Sequence, residues 1–80
     1  PYLMIIRLMD GEQESDVEGF LQKQVRKMLL KSKTVTGGAG TELIYEIRPL
    51  DGNSQFVNTI SSMKGVESAV MVSYDGNYAA

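Results

Sequence analysis

Cysteine and histidine are both missing from this chain of 80 residues. Without cysteine there is no disulfide, no thiolate nucleophile and no sulfur ligand for a metal, and nothing in the composition asks for an oxidising compartment. Without histidine the commonest transition-metal ligand is gone, and so is the usual general base near neutral pH. Catalytic triads and transition-metal centres are therefore disfavoured from the start. Long hydrophobic runs are missing too. The longest, Leu3 to Ile6, falls far short of the roughly 20 residues that span a bilayer, and no signal-peptide pattern is present. The net charge of −2 disfavours a general binder of nucleic acid or of anionic membrane.

What is present is a short phrase used twice. Ile6-Arg7-Leu8-Met9-Asp10-Gly11 ends one apolar run, and Ile47-Arg48-Pro49-Leu50-Asp51-Gly52 ends another half a chain later. Each copy suits a strand closing on an Asp-Gly turn, since Asp bonds nearby backbone N–H groups and Gly tolerates positive φ. Each is followed by a segment of helical periodicity, so the plan looks duplicated. The whole is one domain, near the small end of what folds without staples. Pro1 is not a natural start, and the chain is expected to be a domain cut from a longer protein.

In order, residues 2–9 form a strand apolar on both faces until Arg7, as a central strand would be. Ser15 is the expected N-cap of a helix, with Glu18 completing a capping box. Val17, Phe20, Leu21, Val25 and Met28 form one apolar stripe down to about Leu29. Gly19 costs that helix about 1 kcal/mol relative to Ala and is expected to allow close packing on the sheet. Acids gather at the start of the helix (Glu14, Asp16, Glu18) and Lys23, Arg26, Lys27 and Lys31 toward its end. Matching to the helix dipole explains this polarity better than an anion-binding patch does.

Residues 31–36 combine β-branched residues with lysines, a composition that protects a sheet edge. Gly37-Gly38-Ala39-Gly40 then turns the chain into a strong strand over 41–50, giving a hairpin. No helix or Lys-Ser/Thr signature follows these glycines, so a phosphate cradle is disfavoured. Asn53 or Ser54 caps a second helix bearing Phe56, Val57, Ile60 and Met63, and Gly65 ends it. A last strand runs over 66–74, and residues 77–80 are expected to fray. The order β-α-β-β-α-β predicts an α+β, ferredoxin-like fold, a four-stranded antiparallel sheet with two helices on one face.

Strand alternation divides the side chains between two faces. Met4, Ile6, Leu8, Leu43, Tyr45, Ile47, Val70 and Val72 are the expected core under the helices. Leu3, Ile5, Arg7, Met9, Ile44, Glu46, Arg48, Ala69 and Met71 fall on the other face, too apolar a set to be left in water. Leu3, Ile5, Arg7, Met9, Ile44, Glu46, Arg48 and Met71 are thus the candidate interface, with Arg7, Glu46 and Arg48 available to pair with each other or across a dimer. Self-association is preferred over cover by neighbouring residues of a longer protein or by a tail.

The first strand Tyr2 to Met9 with its Asp10-Gly11 turn, and the ending Met63-Lys64-Gly65-Val66-Glu67-Ser68-Ala69-Val70-Met71-Val72, carry a resemblance. Over nearly its whole length the chain resembles the ACT domains, small ferredoxin-like regulatory modules. It looks most like the soluble ACT-like C-terminal domain of uncharacterised bacterial membrane proteins, and more loosely like MgtC/SapB proteins. The resemblance implies a ligand-binding loop at Asp10, Gly11, Glu12 and Gln13, where a small-molecule effector would sit beside a dimer interface. Against it, Asp10, Glu12, Glu14 and Asp16 would repel an anion, and turn chemistry alone explains Asp10-Gly11.

The expected function is therefore a non-catalytic regulatory or oligomerisation domain without a cofactor. It would be a homo-oligomer, cytoplasmic, and tethered if a membrane region lies outside this segment. The alternative is a divalent-cation-binding or purely structural interaction domain of a membrane protein, the four acids being oxygen ligands of the right type. RNA binding would need aromatics on the open face, copper carriage a Cys-x-x-Cys, and an acylphosphatase an arginine in its first loop. None is present.

Overall fold

A computed structural model describes residues 1–52 and 54–75 of the chain. The fold is ferredoxin-like: β1 (Tyr2–Leu8), a 3₁₀ turn (Gly11–Gln13), α1 (Glu14–Gln24), β2 (Val25–Thr36), β3 (Gly40–Pro49), α2 (Gln55–Ser61) and β4 (Val66–Ser73). One antiparallel sheet has the order β2-β3-β1-β4. The two strands that carry the repeated phrase, β1 and β3, are the central ones.

Alternation builds the core. In β3, Thr41, Leu43, Tyr45 and Ile47 are buried while the residues between them are partly open. β1 adds Met4, Ile6 and Leu8 to the same layer. Each helix presents a pair at i, i+4: Val17 and Leu21 from α1, Phe56 and Ile60 from α2. That spacing places both members of a pair on one helix face, and all of them join one cluster with the inward strand residues. Burying each such aliphatic side chain contributes about 1.5–3 kcal/mol, so this single layer dominates the stability.

Helix α1 is shorter than its apolar stripe. It stops at Gln24, and Val25 and Met28 belong to β2, where Val25 is buried and Met28 packs on the core from the edge strand. The reason is tertiary: β3 offers hydrogen-bonding groups along its whole length, and Val25 to Thr36 pair with it from Pro49 to Gly40. Unpaired strand groups outweigh a few residues of helical periodicity. The helix also begins differently. Asp10, not Ser15, supplies the cap, accepting from Glu12 N at 2.9 Å and leading into the 3₁₀ turn. The helix itself has no side-chain cap hydrogen bond, and Glu18 turns instead to the core, where it accepts a hydrogen bond from the Tyr45 hydroxyl at 3.0 Å. Gly19 is not required for packing, since a Cβ there would meet nothing within 4 Å.

The phase of β4 also corrects the expected faces. Met71 pairs with Met4 and Ala69 with Ile6, so these two turn toward the helices and pack on the core, while Val70 and Val72 face the other way. Ala-Val-Met-Val is apolar in both phases, and only the pairing register decides between them. The second helix starts after Ser54, which makes no side-chain cap bond; Asn53, Gly76 and residues 77–80 lie outside the described residues. Gly65 is not the residue that ends α2. It follows the Ser62 cap by three positions, at φ 81°, and its carbonyl accepts from Met9 N at 2.8 Å.

Candidate functional site

Both helices lie over one side of the sheet, which leaves the other side open. Directly paired residues in an antiparallel sheet share a face, so the registers assemble that surface row by row. Ile5 stands between Ile44 and Val70. Leu3 stands between Glu46 and Val72, with Leu29 beyond Glu46 on β2. Arg7 stands between Glu42 and Ser68, and Arg48 is opposite Lys27. The centre is therefore aliphatic. Val70, Val72 and Leu29 are 44%, 40% and 47% exposed, whereas Leu3 is almost covered by its neighbours.

Ion pairs frame this centre. Arg7 reaches Glu42 at 3.0 Å and Glu67 at 3.7 Å, and Lys31 reaches Glu46 at 3.4 Å. All are at the surface, where such pairs contribute at most about 1 kcal/mol. Their role is to set where charge sits. The expected pairing among Arg7, Glu46 and Arg48 does not occur: the first two have other partners, and Arg48 is in no ion pair among the described residues.

Of the candidate interface residues, Leu3, Ile5, Arg7, Ile44, Glu46 and Arg48 share the open face. Met71 does not, for the reason of register given above. Met9 lies past the end of β1 and stands exposed beside the hairpin. The sequence pattern does not bring Val70 and Val72 to this face, nor Lys27 and Leu29, which it places at the tail of a helix, nor Lys31, which it reads as protection of a sheet edge. The signal for β2 was the alternation Lys27, Leu29, Lys31 against Met28 and Leu30, which a helix does not need.

The loop at Asp10, Gly11, Glu12 and Gln13 is formed as a capped turn. The Asp10 carboxylate occupies the Glu12 N–H, the kind of donor an incoming carboxylate would use. Beside it lies a hollow of about 280 Å³ between Met9, Asp10 and Gly11 on one side and residues 35–38, 40 and 41 of the hairpin on the other. Gly40 shapes its floor, at φ 100°, with its backbone so close to β1 that a Cβ would run into the Leu8 carbonyl oxygen. Among the described residues no three acidic side chains come together to hold a metal ion. Asp10, Glu12, Glu14 and Asp16 form no such group, and Glu14 is paired with Lys33 at 3.0 Å.

The fold alters the protonation of Tyr45. Burial, then the hydrogen bond to Glu18 and the charges of Glu18 and Glu14, push its phenol well above the ordinary value of 10.0. It is a locked neutral donor on the helix side, remote from the open face. Among the described residues no helix is long and apolar enough to cross a membrane. No family model, no curated protein and no solved structure matches the chain.

Proposed function

We propose that this chain is a non-catalytic regulatory or oligomerisation domain that associates with itself through the open face of its sheet. The observation that carries this reading is the aliphatic centre of Ile5, Ile44, Val70 and Val72 on a face that no helix among the described residues covers. Contiguous apolar surface with a polar rim is a common mark of an interface. The ACT-like resemblance points the same way, and it adds a small-molecule effector at Asp10, Gly11, Glu12 and Gln13. The hollow beside that loop supports the effector, and the Asp10 cap favours a neutral or cationic one over an anion.

Sedimentation over a concentration series tests the reading. Wild-type protein is expected to dimerise, and Ile5→Glu to weaken the dimer at least about a hundredfold, because burying isoleucine contributes roughly 1.5–3 kcal/mol and a two-fold interface uses it twice. Ile44→Glu should behave alike. A wild-type chain that stays monomeric at high concentration refutes the proposal.

A further inference from the structure

The open face carries opposite charge at its two ends. At one end Lys27 of β2 is the direct cross-strand partner of Arg48 of β3. Both are exposed, and neither is in an ion pair among the described residues. Like charges placed directly opposite on a sheet repel, so this pair is unfavourable in the isolated chain. Arg26 lies alongside, its guanidinium 3.4 Å from the Leu50 carbonyl oxygen, and the acid of that corner, Asp51, lines the same hollow as Arg26 and Arg48. Lys27, Arg48 and Arg26 set against Asp51 leave this corner with two more cations than acids.

At the other end the balance is reversed. Arg7 is shared between Glu42 and Glu67, one cation for two carboxylates. Between the ends, Lys31 and Glu46 neutralise each other and the rest is the aliphatic centre. A face with an oily middle, two surplus cations at one end and a surplus carboxylate at the other is complementary to itself when turned end for end.

We infer that the occupant of the open face is a second copy of this chain, docked with its sheet reversed. Each strand then lies over its counterpart in the other copy, running the opposite way, so that Arg48 of each β3 lies over Glu42 of the other. The inference rests on the self-association proposed above and adds its orientation. A two-fold axis lying in the interface and crossing the strands makes both contacts at once. An axis running along the strands would lay each end over the same end of its partner, and no surplus cation would meet a carboxylate of Glu42 or Glu67. Charge complementarity of this kind decides register and orientation more than it decides affinity.

The test is sedimentation of the full chain carrying charge reversals at these exposed positions. Lys27→Glu/Arg48→Glu turns attraction into repulsion at two symmetric contacts, and is expected to raise the dissociation constant roughly tenfold to a hundredfold at low salt. Adding Glu42→Arg to the same chain reverses the acid that faces position 48 of the partner and should recover most of that loss. In wild-type protein, raising salt from about 0.05 M to about 0.5 M should weaken the dimer several-fold through screening, a readout that needs no variant to fold. A dimer broken by Ile5→Glu but indifferent to the double reversal and to salt overturns the orientation while keeping the open-face association. A wild-type monomer overturns both.

Discussion

Replacing Tyr45 by Phe isolates one hydroxyl in an otherwise unchanged core. The ring is 1% exposed, and its oxygen donates to Glu18 Oε2 at 3.0 Å. A hydrogen bond to a charged acceptor contributes about 1.5–3 kcal/mol. Glu18 is only half-buried and can turn to water once its donor is gone, so the lower part of that range applies. Tyr45→Phe should therefore cost about 1–2 kcal/mol near neutral pH.

The pH dependence makes the prediction sharp. The folded phenol has its pKa raised above the ordinary 10.0 by burial first and Glu18 second. A group whose folded pKa is raised stabilises fully below its unfolded pKa, and the contribution is lost as pH climbs past that value toward the folded one. Above pH 10 the unfolded chain releases the proton and the folded chain keeps it, which erodes stability by about 1.4 kcal/mol per pH unit. The advantage of wild type over Tyr45→Phe should thus hold steady from about pH 8 to near 10 and all but vanish by about pH 11. Everything else is common to both proteins and cancels in the difference. Urea unfolding followed by circular dichroism, at one fixed protein concentration, measures the gap. A gap that stays constant across that range would mean the Tyr45 hydroxyl is not held as described.

Two further perturbations separate other parts of the structure. Gly19→Ala should stabilise by about 0.5–1 kcal/mol, since a helical glycine is replaced where nothing is in reach. Gly40→Ala should destabilise by about 1–3 kcal/mol from its backbone angle alone, with the Leu8 carbonyl adding to that, and thermal melts of the two variants must move in opposite directions. Val70→Asp and Met71→Asp test the phase of β4: the first should weaken association and leave the monomer's stability within about 1 kcal/mol, while the second puts a carboxylate against the core and should cost about 3 kcal/mol or more. Equal melting losses for the two would refute the register.

Much of the fold was legible because the core residues allow only one phase. Thr41 to Arg48 alternates apolar with polar or charged almost throughout, and Val17, Phe20 and Leu21, or Phe56, Val57 and Ile60, can share a face only on a helix. Strand order followed from the β-α-β-β-α-β plan, whose central strands β1 and β3 carry the repeated phrase. The misreadings all fall where local pattern permits two answers. Val25 and Met28 suit a helical stripe as well as an edge strand, and the demand of β3 for a partner settles it. Ser15 with Glu18 is a sound capping box, but Asp10 captures the turn earlier and Tyr45 claims the glutamate.

The same ambiguity bears most heavily on the open face, which is where function is proposed. Its residues are selected by register, not by their own chemistry: Val70 and Val72 could equally have been core, and Lys27 is a solvated helix residue until β2 is recognised as beginning at Val25. Only once Arg48 is seen opposite Lys27, and Arg7 between Glu42 and Glu67, does the face acquire two unlike ends. A core tolerates many sequences of suitable volume, so it discloses the fold readily. A surface that must meet one partner in one orientation stores its specificity in which charges sit across from which, and that arrangement exists only after the strands have paired.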